Sequence, residues 1–335
     1  METIKQNIIK FGEDRKRPYA ESSIKTYLGN ISKLYDKIKD PLEDFDEMEN
    51  MDWALDAFTI KQVLAPLKPT TQRNYYNALI VGLYAFPGKK SDEIRHVYEG
   101  RRDILNADYD KSKGEPTENQ AKVLQSVNKN TIMNMIRNTL PTKNTGRMDD
   151  LTRLLFLIHS EYPFRNELSK IQVIQEEQYE SADKTQNYLL ISKVGKGTRL
   201  RDHNLTFKMN DTKTAKKYGS KTIPLDVSHV KMEILKWLKE DVKVQMNDLL
   251  PVPTYLFTWA TGKPLLRNDI SHLMSNFSNK HIGHSVSTTL MAKMFNDIPD
   301  GNTATKEQID KVQKKALIRG HSVQISASVY NPNLK

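Results

Sequence analysis

The chain contains no cysteine. That excludes a disulfide framework, a thiolate zinc site and a cysteine nucleophile. Its eight histidines form no HxxxH or HExxH pair, so no metal site and no cofactor are expected. Long apolar runs are missing as well. Ala78 to Leu83 and Leu154 to Ile158 are the longest, far below membrane-spanning length. The start, Met1-Glu2-Thr3-Ile4-Lys5, lacks the apolar core of a secretion signal. These absences lead to the expectation of an intracellular, soluble protein that resides wherever its partner does. Acid is in deficit: 41 Asp+Glu face 51 Lys+Arg, a net charge of +10. Such a balance favours a polyanionic partner, because each phosphate contact releases condensed counterions.

What is present reads mainly as helix, and 335 residues suffice for two domains with their own cores. Residues 1–18 are polar and are expected to form a flexible N-terminus. Ser22-Ser23 can cap a helix in which Ile24, Tyr27, Leu28, Ile31, Leu34, Tyr35 and Ile38 form one apolar stripe. Residues 39–52 are acidic and loop-like. A short helix over Thr59 to Ala65 is stopped by Pro66. Pro69-Thr70-Thr71 opens another, with Tyr75, Tyr76, Leu79, Ile80, Leu83 and Tyr84 facing inward, and a fourth runs from Ser91 to Leu105. Residues 19–107 thus read as a small helical domain. In the stretch 108–118, charge, Gly114 and Pro116 cluster and the apolar period lapses, which is the pattern of a linker.

From residue 119 on, a helix reaches Leu140, and Asp149-Asp150 caps the largely buried helix Leu151 to Ser160. The period then changes. Ile171 to Ile174, Tyr188 to Val194, Leu200 to Met209 and Thr222 to Leu225 are strand-like and are expected to form one small antiparallel sheet. Helices follow over Val230–Leu238, Asn268–Phe277, Ser287–Phe295 and Thr305–Ile318, with a last short one through Tyr330. The fold class expected is mainly α with a small antiparallel β-sheet (α+β).

One stretch stands out near the end: Gly320-His321-Ser322, with Tyr330 nine residues after the histidine. A tyrosine can cleave a phosphodiester if three needs are met. Arg or Lys donors must face the charge that builds on the nonbridging oxygens. The leaving 5′-oxygen needs a proton. The tyrosine must lose its own, although its free pKa is about 10. Candidates occur upstream in order: Arg165 after the buried helix, then Lys213 in Thr-Lys-Thr between strands.

This pattern resembles the tyrosine recombinase (integrase) superfamily, over about residues 20–335. It is most similar to the divergent recombinases of large DNA viruses and their parasites. The resemblance implies a helical core-binding domain, here 19–107, and a tyrosine-recombinase-like catalytic domain, here 119–335. It implies double-stranded DNA as partner and a homo-tetramer on DNA, with a monomer or dimer when free. The segment Lys68 to Leu79 is similar to the core-binding helix that touches the duplex, making Lys68, Thr70, Thr71, Arg73 and Asn74 candidate DNA contacts; Lys216 and Lys217 are others. Arg165 falls at the family's first catalytic arginine, and Lys213 resembles the hairpin lysine that acts as general acid, with Lys196 ranked second. His321 and Tyr330 match the last histidine and the nucleophile. The implied reaction stores bond energy in a 3′-phosphotyrosyl link and needs no ATP.

Two departures mark the resemblance. The family expects His-x-x-Arg on the helix before the last motif. Alignment on Thr288 to Phe295 puts Thr289 at the histidine and Ala292 at the second arginine. Losing one preorganised donor costs on the order of 10²–10³ in rate. An inactivating replacement, a degenerate DNA-binding relative, or substitution by Lys293 each account for Ala292. The acid often found three residues after the first arginine is replaced by Leu168, with Glu167 the nearest acid. A type IB topoisomerase is the alternative enzyme, using the same chemistry on one duplex; the modest helical domain and short tail after Tyr330 favour the recombinase.

Overall fold

The computed structural model describes residues 1–39, 49–112, 115–141, 145–193, 199–244, 249–295 and 305–320. The chain divides into two compact units, Met1–Lys113 and Gly114–Lys335.

The first unit is helical. It opens with α1 (Glu2–Asp14), which corrects the expectation of a flexible segment over 1–18. Ile4 and Ile8 are fully buried, and Phe11 stacks on Tyr84 with ring centroids 5.0 Å apart. Three apolar side chains at spacings of four and three suffice to seat a helix on an existing core, whatever its mean polarity. Helix α2 (Glu21–Ile38) buries Ile31, Leu34 and Tyr35. It starts after Ala20, with no side-chain cap from the serines. A 3₁₀ turn (Asp52–Leu55) precedes α3 (Ala57–Leu64), whose cap is Asp56, accepting from Phe58 N and Thr59 N at 3.1 Å. Pro69 sits in the first turn of α4 (Pro69–Ala85), where its missing N–H costs nothing. The buried face of α4 includes Tyr75, Tyr76, Leu79, Ile80 and Leu83, as the spacing predicts. Helix α5 (Lys89–Ser112) runs seven residues past Leu105, so the first half of the expected linker is helix. Tyr98 of α5 donates its hydroxyl to Ala54 O at 2.6 Å.

The second unit is α+β. The helix expected up to Leu140 is two, α6 (Glu118–Ser126) and α7 (Lys129–Asn138). Thr117 and Asn128 each form a capping box, and Asn128 turns the chain between them. Thr117 therefore lies outside any linker. Helix α8 (Arg147–Glu161) begins four residues before Leu151, with Asp149 and Asp150 in its first turn, and is buried continuously from Leu151 to Ser160. Around it lie four strands in the order β1 (Gln172–Gln175), β2 (Tyr188–Lys193), β3 (His203–Met209) and β4 (Lys221–Pro224). The β2–β3 and β3–β4 pairings are antiparallel, but β1 and β2 run parallel. The sheet is therefore mixed, not wholly antiparallel. The twelve residues between β1 and β2 allow the crossover that a parallel pair needs. Leu189, Ile191, Leu205, Phe207 and Ile223 share the face turned to the main core. The remaining helices are α9 (Ala215–Tyr218), α10 (Ser228–Glu240), α11 (Arg267–Ile282), α12 (Thr288–Met294) and α13 (Lys306–Arg319). The last four overlap the expected helices; the short helix expected through Tyr330 lies outside the described residues. No helix among the described residues is long and apolar enough to cross a membrane.

Candidate active site

Arg165 is delivered by the end of the most buried helix. Tyr162 closes α8, its N–H reaching Ile158 O at 2.7 Å. Its hydroxyl donates to Asp226 Oδ1 at 2.9 Å and accepts from Val227 N at 3.1 Å. Phe164 packs edge-on against Phe207 of β3, with centroids 5.2 Å apart. The Arg165 backbone is then gripped from both sides. Its N–H donates to Glu167 Oε2 at 2.7 Å, and its carbonyl faces His159 Nε2 at 3.2 Å. His159 is fully buried, with Nδ1 2.8 Å from Leu155 O. Burial lowers its pKa; the two carbonyls oppose this and the positive Arg319 reinforces it. The Arg165 side chain is 26% exposed and its Nη1 lies 3.9 Å from Glu167 Oε1. That Nη1 is buried and has no hydrogen-bond acceptor among the described residues.

The neighbouring Asn166 ties in two more helices. Its Nδ2 donates to Ser271 Oγ of α11 at 2.8 Å, and its Oδ1 accepts from Thr288 Oγ1 of α12 at 3.1 Å. Ala292 follows Thr288 by one turn on the same face of α12, and is buried. The position aligned with the second arginine thus lies on a helix pinned beside Arg165, and carries a methyl group. Lys293 is buried and Thr289 half-buried.

The β3–β4 hairpin and the end of α13 add a second set of donors. Lys221 is buried at the start of β4, and its Nζ donates to Ile318 O at 3.3 Å. Burial pushes the Lys221 ammonium below the ordinary lysine range; Glu167 partly offsets this, and Arg165 adds to it. The hydroxyls of Thr212 and Thr214 are buried without partners among the described residues. Gly320 follows α13 in the left-handed region (φ 74°), where it caps the helix. A methyl group at Gly320 would sit 2.7 Å from Lys221 Nζ and press on the Thr214 hydroxyl. Arg319 is buried, its Nη1 donating to the carbonyls of Pro163 (3.3 Å) and Phe164 (3.2 Å), directly before Arg165. Arg165 and Lys221 thus share one carboxylate, Glu167. A buried cation is costly unless an anion answers it. Among the described residues, two cations facing one carboxylate suit an anionic ligand.

Of the residues expected at the site, Lys213 is exposed and lies between the buried hydroxyls of Thr212 and Thr214. Lys196, His321 and Tyr330 lie outside the described residues, although Gly320, the residue before His321, sits against Lys221 and Thr214. Lys216 and Lys217 belong to α9. In the first unit, Lys68, Thr70, Thr71 and Asn74 are exposed around the start of α4, and Arg73 lies over the Tyr109 ring at 4.2 Å. Lys221 and Arg319 were missed. Their signal was phase: Lys221 alternates with buried Ile223 and Leu225, and Arg319 falls seven residues after Val312 and three after Ala316.

Neither protein-family models nor curated proteins provide a match to this sequence.

Proposed function

We propose that the protein is a DNA strand transferase of the tyrosine recombinase type. The observation that carries this reading is the pairing of Arg165 with the buried Lys221 about one carboxylate, Glu167, with an Arg165 Nη1 that has no acceptor among the described residues. A phosphodiester supplies the missing anion. In the proposed reaction the Tyr330 oxygen attacks phosphorus and gives up its proton to solvent water. A 3′-phosphotyrosyl bond forms, the P–O5′ bond breaks, and the 5′-oxygen takes a proton from a lysine. Arg165 and His321 donate to the nonbridging oxygens. Two hairpin lysines compete as proton donor. Resemblance favours Lys213. Burial, a lowered pKa and electrostatic contact with Arg165 favour Lys221, since a proton donor works best with a pKa near the operating pH. A homo-tetramer on double-stranded DNA and a target-DNA location belong to the same proposal.

The second reading is a protein that binds DNA without cleaving it, which the buried methyl of Ala292 favours. A duplex with a nick just 3′ of the scissile position separates the two, because the released fragment cannot return. The strand-transferase reading expects a detergent-resistant protein–DNA adduct that vanishes in Tyr330→Phe and increases in Ala292→Arg. Duplex binding with no adduct in either the parent chain or Ala292→Arg supports the binding-only reading. No duplex binding at all refutes both.

A further inference from the structure

A cleft of about 590 Å³ opens between α7 and α11, lined by Asn130, Asn134, Asn138, Phe277 and His281 among others. The three asparagines are exposed at four-residue spacing, so their carboxamides line one side of three successive turns. None has a hydrogen-bond partner among the described residues. The other polar groups of the cleft are occupied. Asn128 and Thr131 cap α7, Thr139 donates to Met135 O, and Asp149 is paired with Lys280 at 2.7 Å. Opposite the asparagines, His281 packs on Phe277 with centroids 4.4 Å apart, and Phe277 rests on Phe156 of α8 at 5.9 Å. The aromatic wall is thus braced by the unit's core, while Ile132, Met135 and Ile136 anchor α7 from beneath.

One wall therefore offers the exposed ring of His281, backed by the buried Phe277 at a tilt of 50°, and the other offers amide donors and acceptors. Among the described residues no arginine or lysine lines the cleft and its carboxylate, Asp149, is paired, a lining better suited to a neutral heterocycle than to a phosphate. A carboxamide matches the donor–acceptor edge of a planar heterocycle, as asparagine does with adenine. From this geometry we propose that the cleft binds a nucleobase, its face on the His281 ring that Phe277 backs and its edge on Asn134 and Asn138. The base comes either from a free nucleoside or from an unpaired position in a strand. The inference does not depend on the tyrosine chemistry.

The test uses the full chain and saturation-transfer NMR with adenosine and with thymidine. The expected result is transfer to the base protons, falling by roughly tenfold or more in Asn134→Ala/Asn138→Ala and in His281→Ala, the size of one lost base stack. The asparagines are exposed helix positions, where alanine supports the fold. Absence of transfer to the base protons, transfer to ribose protons alone, or transfer unchanged in both variants overturns the proposal. Duplexes with a one-base bulge and with an abasic bulge then identify the source. Tighter binding of the base bulge, lost in the variants, indicates an unpaired base; equal binding alongside a nucleoside signal indicates a free nucleoside.

Discussion

Gly320→Ala isolates the contact on which the assembly of the site rests. At φ 74° an alanine pays the left-handed penalty, about 1–2 kcal/mol for a residue with a Cβ. Its methyl group also meets Lys221 Nζ at 2.7 Å and the Thr214 hydroxyl more closely still, and such overpacking costs a further ~1–3 kcal/mol. Gly283 provides the control. It caps α11 at φ 71°, but nothing lies within 4 Å of its added methyl, so Gly283→Ala carries the backbone penalty alone. The account predicts a loss of about 2–5 kcal/mol for Gly320→Ala against about 1–2 for Gly283→Ala. Thr214→Ala in the Gly320→Ala background recovers part of the difference. Urea unfolding followed by Trp237 and Trp259, with Trp53→Phe to silence the first unit, reads these values directly. Equal losses at the two glycines would refute the packing of the α13 terminus on the hairpin, and with it the gathering of Lys221 near Arg165.

Three other outcomes are expected. Lys221 has a lowered pKa when folded, so the unfolded chain binds more protons between that value and the ordinary lysine value of about 10.4. Stability therefore rises as pH climbs through that interval, and Lys221→Met flattens the rise in urea titrations at alkaline pH. His159 is likewise held neutral by burial, so its contribution is lost as pH falls below about 6.5. His159→Gln should reduce the acid-side slope of the second unit; an unchanged slope contradicts the burial of a neutral ring. Ile8→Ala should cost the first unit about 2–5 kcal/mol, read from Trp53 fluorescence, whereas a loss near zero would mean that α1 is not packed.

Long apolar periods were legible in the sequence. The stripes of α2 and α4 and the burial of α8 follow from spacing; the strand expected over Leu200 to Met209 begins only at His203, after a 3₁₀ turn (Leu200–Asp202). Short ones were not. Helix α1 is seated by Ile4, Ile8 and Phe11 within a polar stretch, and its stability comes from a core supplied by residues far along the chain. The end of α5 was hidden because its last turns are charged and exposed, with no apolar face to mark them. The parallel pairing of β1 could not be read either, since strand direction depends on the connection and not on the strand's own pattern. At the site, Arg165 was visible as an arginine beside a buried helix. Lys221 and Arg319 were not, because their charge reads as exposed and outweighs their phase with buried neighbours until the sheet and helix bury them.

The central claim is that Arg165 and Lys221 serve one phosphate, the lysine as proton donor to the leaving oxygen. The most direct measurement replaces the bridging 5′-oxygen of the nicked duplex by sulfur, a leaving group that needs no proton, and compares rates of adduct formation in Lys221→Ala, Lys213→Ala and Arg165→Ala. The Ala292→Arg chain is the background if the parent is too slow to follow. The account predicts that Lys221→Ala slows the oxygen substrate by about 10²–10⁴ and is rescued by sulfur, while Arg165→Ala is slow on both and Lys213→Ala on neither. Rescue of Lys213→Ala instead, or a Lys221→Ala chain that reacts normally with oxygen, would contradict it.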